Sequence, residues 1–176
     1  MDSLLRVDLE ARYPSWMSDY IGLRGERIFE TLMSELDTHA EALFTARFLG
    51  DKWSIVDFIV RLEGVSGAPF FFAQVKTTQR GYTASGRLRA RVTADEMKAL
   101  AACPAPTYIV GVDEPSASCF LVSANGEKSA TMSTIPTAFP LDRGTRELLW
   151  REVADYWSEH APPGFVSRFA DPGGSR

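Results

Sequence analysis

Helical and strand periodicities alternate along the chain. Over residues 21–36, Ile28, Phe29, Leu32, Met33 and Leu36 recur at i, i+3 and i+4, which predicts an amphipathic helix. Ahead of it, Tyr13-Pro14-Ser15-Trp16 interrupts any continuous helix, so residues 1–20 read as an N-terminal arm. Residues 40–48 alternate loosely as a first strand, and Gly50-Asp51-Lys52 marks a turn. Residues 53–62, WSIVDFIVRL, are rich in β-branched and aromatic side chains and predict a second strand with Asp57 in its middle. Residues 63–67 supply a hairpin connection.

The stretch that follows, PFFFAQVKTTQRGY over residues 69–82, predicts a buried strand bounded by Pro69 and Gly81. Alternation sends Phe70, Phe72, Gln74 and Lys76 to one face, and Phe71, Ala73 and Val75 to the other. The first face starts apolar and ends in an amide and an ammonium, which are costly to bury without partners. Residues 82–91 are expected to form an exposed strand or loop. Thr93 with Glu96 is a capping-box signature for a helix that buries Met97 and Leu100 and stops near Cys103-Pro104. Residues 106–113 predict a central strand and residues 118–122 another. Residues 125–140 are a Ser/Thr/Pro-rich connection, and residues 145–159 return to helix through Leu148, Leu149, Val153 and Tyr156. The expected organisation is one α/β domain over residues 21–165, with a disordered tail over 166–176.

Composition changes this picture little: 45% hydrophobic and 24% charged residues are ordinary for a globular chain of 176 residues. No apolar run approaches the roughly 20 residues that span a bilayer, and the first residues lack a signal-peptide layout, so a cytoplasmic location without membrane attachment is expected. Cys103 and Cys119 need no disulfide, and His39 and His160 read as surface residues near helix ends, too few for a zinc site. The net charge of -4 counts against a broad non-specific nucleic-acid binder. Between positions 76 and 91, however, Lys76, Arg80, Arg87, Arg89 and Arg91 occur with no acid, a basic strip able to hold a phosphate backbone.

Candidate chemistry centres on Asp57, Gln74 and Lys76. Neighbouring antiparallel strands lie about 4.8 Å apart, so Asp57 and Gln74 can converge on one cation. The Asp57 carboxylate, the Gln74 amide oxygen and the Val75 carbonyl would suit a hard divalent ion such as Mg²⁺ or Mn²⁺. Lys76, on the face of Gln74, could position or deprotonate a water or offset charge on a phosphate. Each residue also has a plainer reading. Asp57 fits a turn or bulge carboxylate bonded to backbone amides, Lys76 an edge-blunting cation, and Glu26 a first-turn acid favoured by the helix dipole. Gly25, just before Glu26, allows a close approach.

A helix with Gly25-Glu26, a strand with Asp57, a hairpin-linked strand ending Gln74-Val75-Lys76, then a helix and a strand, with sixteen residues between Asp57 and Gln74, resembles the PD-(D/E)xK nuclease superfamily in its QxK variant. That variant is found among restriction-endonuclease-like and Holliday-junction-resolvase-like proteins. The pattern looks most like the bacterial group known as domain of unknown function 4365, over roughly residues 22–122. The resemblance implies a restriction-endonuclease-like core, a mixed central β-sheet flanked by helices. It implies catalytic roles for Glu26, Asp57, Gln74 and Lys76, with Asp57, Gln74 and Val75 at a Mg²⁺ or Mn²⁺ ion and no small-molecule cofactor. The implied partner is DNA, bound through Arg80, Arg87, Arg89 and Arg91, and a homodimer fits an enzyme that cuts two strands with two such sites. The implied function is endonucleolytic hydrolysis in defence against foreign DNA or in repair. Two departures stand out: Val56 replaces the Pro before the Asp, and Gln74 replaces the second acid. They leave open a nuclease-fold subunit that binds nucleic acid or a partner protein without cutting. An unrelated α/β domain with a buried Asp57–Lys76 ion pair is the third reading.

Overall fold

The computed structural model describes residues 15–37, 39–50, 53–125 and 131–160. Eight elements follow in the order α1 (Ser15–Met33), β1 (Phe44–Phe48), β2 (Phe58–Leu62), β3 (Phe70–Thr78), α2 (Ala94–Ala101), β4 (Thr107–Asp113), β5 (Ser118–Ser123) and α3 (Arg143–Glu159). The strands form one mixed sheet in the order β1-β2-β3-β4-β5. All neighbours pair antiparallel except β3 and β4, which run parallel with Gln74 opposite Ile109 and Lys76 opposite Gly111. A parallel pair needs a crossover, and α2 supplies it.

Alternation of side chains divides the core into two layers. On one face Phe71, Ala73 and Val75 of β3 join Phe58, Val60 and Leu62 of β2 under Phe29 and Met33 of α1 and Leu149 and Val153 of α3. On the other, Phe72 and Ile109 pack with Met97 and Leu100 of α2 and with Leu88, Val92 and Ile135 from the connecting segments. The facing expected for β3 is the facing observed. β4 is buried along its whole length, which agrees with its continuous apolar run. Among the described residues, no helix is long and apolar enough to cross a membrane.

Several boundaries move, each for a local reason. Helix α1 starts at Ser15, so residues 15–20 belong to it rather than to an arm. A proline breaks only the helix on its N-terminal side, because first-turn amides have no partner within the helix to lose. Residues 1–14 and the tail over 166–176 lie outside the described residues. Leu36 lies past the end of α1 and is exposed. β1 is shorter than residues 40–48 because Asp37 Oδ1 accepts the amides of His39 and Glu41, and Ala40 sits at a φ of 59°. β2 begins at Phe58, which places Asp57 at its entry rather than in its middle. Residues 82–92 contribute no strand of their own. They are held by isolated bridges (Tyr82 with Leu88, Leu88 with Ile135, Val92 with Met132), and Leu88 and Val92 are fully buried.

Candidate functional site

Asp57, Gln74 and Lys76 do come together on one sheet face. Asp57 stands beside β3 where β2 begins, its own amide donating to the Ala73 carbonyl at 2.9 Å. Its Oδ2 accepts the Val75 amide at 2.7 Å and the Gln74 side-chain amide at 3.0 Å. Both hydrogen bonds fall on that one oxygen. The plainer reading of Asp57, a carboxylate bonded to backbone, therefore describes half of what the side chain does, and Gln74 accounts for the other half. Burial pushes the Asp57 carboxyl up from the ordinary carboxylate range; the Val75 amide, the nearby Lys76 charge and the Gln74 amide pull it down without cancelling the rise.

The sign of that shift sets a stability prediction. A carboxyl whose folded pKa is raised favours the fold in its protonated form. That contribution is complete below the unfolded value of 3.8 and is lost as pH rises through the raised folded value. Asp57→Asn keeps an acceptor for Val75 and cannot ionise. We expect it to melt at or above the wild-type temperature at neutral pH, with the difference shrinking towards pH 3.8. Thermal melts of both proteins over that range decide it, and an Asn variant less stable than wild type at neutral pH would contradict the assignment.

Lys76 is paired, and its partner is Glu96 of α2, not Asp57. Its Nζ donates to Glu96 Oε1 at 2.6 Å. The third reading, a buried Asp57–Lys76 pair, is replaced by this contact. The crossover explains it: α2 returns the chain across the face that carries Gln74 and Lys76, bringing the start of the helix to Lys76. Glu96 also completes the capping box, its Oε2 accepting the Thr93 amide at 2.7 Å and hydroxyl at 2.8 Å. Burial alone would raise its carboxyl, but the hydrogen bonds from Lys76 and Thr93 and the Lys76 charge outweigh that and hold it down at about 2. Sequence reading assigned Glu96 only to the cap, because the cap signal is local and the lysine is twenty positions away.

Comparison of the chain with protein-family models, with curated proteins and with solved structures finds no match.

Beside this cluster lies an open cavity of about 960 Å³ around the exit of β3. Its lining includes Glu26 of α1, Val75 and Lys76 of β3, and Arg80, Arg89 and Arg91 from the following segment. Among the described residues of the lining four are cations and one is an acid, against the sign of the chain's net charge. Asp57 and Gln74 adjoin the cavity through Val75 rather than lining it. Glu26 reaches it because α1 lies unusually close to β3: a Cβ on Gly25 would overlap Thr77 Oγ1 and stand 2.7 Å from its Cγ2 and 2.8 Å from its Cβ. Arg24 adds an ion pair to Glu114, just past β4, whose side chain is buried.

Arg87 is not brought to the cavity. Its guanidinium donates to Thr134 Oγ1 at 2.8 Å and to the Thr134 carbonyl at 2.7 Å, fastening the two connecting segments together. His39 and His160 are exposed, and both cysteines are free. Among the described residues, no three His, Cys, Asp or Glu side chains gather into a metal-binding group. Any ion here would take one carboxylate together with amide and carbonyl oxygens.

Proposed function

We propose that this protein is a metal-dependent DNA endonuclease of the PD-(D/E)xK kind in its QxK variant, with a restriction-endonuclease-like core. The observation that carries the reading is the Asp57 carboxylate in contact with Gln74 and Val75, next to Lys76 and a cation-lined cavity. The donor set fits a hard divalent ion. Asp57 Oδ1 has no hydrogen bond from a described residue and remains able to ligate. Gln74 offers an amide oxygen once its side chain turns, and the Val75 carbonyl opens on the same strand edge as the amide that meets Asp57. When bound, Mg²⁺ or Mn²⁺ would supply charge stabilisation at a scissile phosphate and acidify a water.

The chain's own residues supply the rest. Lys76 brings a positive charge to the strand exit, where a phosphate entering the cavity meets it. Arg80, Arg89 and Arg91 face the same space and suit successive phosphates of a nucleic-acid backbone. Glu26 places a carboxylate on the α1 wall of the cavity, where it can orient a water or a cation.

Purified protein incubated with supercoiled plasmid and Mg²⁺ should nick or linearise it, and a chelator should stop the reaction; intact plasmid at every metal tested removes the reading. Arg89→Ala with Arg91→Ala should weaken DNA retention and flatten its salt dependence by about one unit of slope for each phosphate no longer neutralised. An unchanged slope would take these arginines out of the interface.

One observation favours a second reading, a nuclease-fold subunit that binds without cutting. Asp57 already serves two N–H donors through Oδ2, and burial disfavours its charged form. Salt-dependent DNA retention that is indifferent to metal would support that alternative.

A further inference from the structure

Glu96 is held more firmly than a capping residue needs to be. One carboxylate oxygen takes Lys76 and the other takes the amide and hydroxyl of Thr93, so rotation breaks three hydrogen bonds at once. The Thr93 hydroxyl is itself engaged, accepting the Glu96 amide at 3.2 Å. Behind them, Met97 and Leu100 anchor α2 in the core with almost no exposed surface. The acid that meets Lys76 therefore sits on a rigid mount. The pair is only partly shielded, with 22% of the Lys76 side chain and 37% of the Glu96 side chain exposed, and ion pairs of that kind contribute little to folding. A contact so firmly built, worth so little to stability, at the edge of the cation-lined cavity, is better explained by what it does to the lysine.

We propose that Glu96 is the positioning residue of Lys76: mounted at the start of α2, its carboxylate fixes the ammonium at the β3 exit, at the edge of the cation-lined cavity where an incoming phosphate would meet it. Asp57 from the β2 side, Glu26 from α1, and Arg80, Arg89 and Arg91 around the cavity complete the charged surroundings of the pair. The consequence for the reaction rests on the proposed nuclease function. The positioning itself does not, which makes the two separable by experiment.

The test compares Glu96→Gln, Glu96→Asp, Glu96→Ala and Lys76→Met in the full chain. Gln also completes a capping box, so Glu96→Gln can keep the Thr93 bonds on its amide oxygen while its NH2 replaces the charged acceptor that Lys76 meets. Three quantities are read: the NMR signal of the Lys76 ammonium, the melting temperature, and the turnover and retention of DNA. In wild type the ammonium signal, identified by its loss in Lys76→Met, should show slowed proton exchange. Glu96→Gln should lose that protection with little change in melting temperature, and turnover should fall on the order of tenfold to a hundredfold while DNA retention holds. Glu96→Asp, which keeps the charge, should retain more turnover than Glu96→Gln.

A Lys76 signal and turnover unchanged in Glu96→Gln would overturn the proposal. So would an effect confined to Glu96→Ala and matched by a lower melting temperature, since Glu96 would then be a cap alone. A protein that cuts no DNA, yet loses the protected ammonium in Glu96→Gln, would remove the nuclease reading and leave the positioning role standing.

Discussion

Asp57→Asn and Lys76→Met are each expected to lower DNA cleavage by more than about 100-fold, a loss typical of removing one preorganised charge-stabilising group. The two should fail differently. Asp57→Asn removes the one carboxylate of the Asp57–Gln74–Val75 cluster, so protein that still folds should lose the thermal stabilisation that Mn²⁺ or Mg²⁺ gives the wild type. Lys76→Met leaves that cluster intact and should keep the metal-dependent shift while losing turnover. Asn is chosen over Ala because it preserves an acceptor for the Val75 amide and avoids leaving that buried donor unmet. Cleavage assays paired with thermal melts at varied metal concentration give both readouts. Wild-type rates in either variant would dissociate these residues from the chemistry. A metal shift retained in Asp57→Asn would move the ion elsewhere.

Gly25→Ala is expected to destabilise the fold, against the usual direction for glycine in a helix. Removing a mid-helix glycine ordinarily gains about 1 kcal/mol. Here the added Cβ would overlap Thr77 Oγ1 and sit 2.8 Å from Thr77 Cβ, an atom fixed to the backbone of β3. Rotating the threonine cannot clear it, so α1 must move off the sheet, and overpacking of this sort costs roughly 1–3 kcal/mol. With Phe29 and Met33 of the same helix fully buried, the displacement also loosens the core beneath it. We expect a net loss of about 1–2 kcal/mol by chemical denaturation, together with weaker activity as Glu26 shifts relative to Lys76. Thr77→Gly should recover part of the stability in the double variant, since it removes the three atoms nearest to the new methyl. A Gly25→Ala protein more stable than wild type would show that the close approach is not a constraint.

Legibility in the sequence depended on how local each feature was. The alternation of Phe70 to Lys76, the Thr93–Glu96 capping box and the unbroken apolar run of β4 each follow from side chains a few positions apart, and each appears as read. Boundaries failed where a side chain competed for backbone bonds, as Asp37 does ahead of β1. The contact between Asp57 and Gln74 was open to sequence reading because a hairpin links their strands and its register is short-range. The basic strip, by contrast, looked like one surface, yet Arg87 turns to Thr134 while Arg80, Arg89 and Arg91 face the cavity. Period-2 reasoning cannot separate them, because residues 82–92 follow isolated bridges instead of a ladder.

By itself, then, the order of residues determined which side chains share a face and which strands are buried, since both follow from backbone periodicity and hydrophobic patterning. Only the tertiary structure decided the partners. The parallel pairing of β3 with β4 sends α2 back over the Lys76 face and hands that lysine to Glu96, and the close approach at Gly25 sets Glu26 at the cavity wall. Those are contacts across a crossover and between layers, where the free energy of packing, not local propensity, chooses which groups meet.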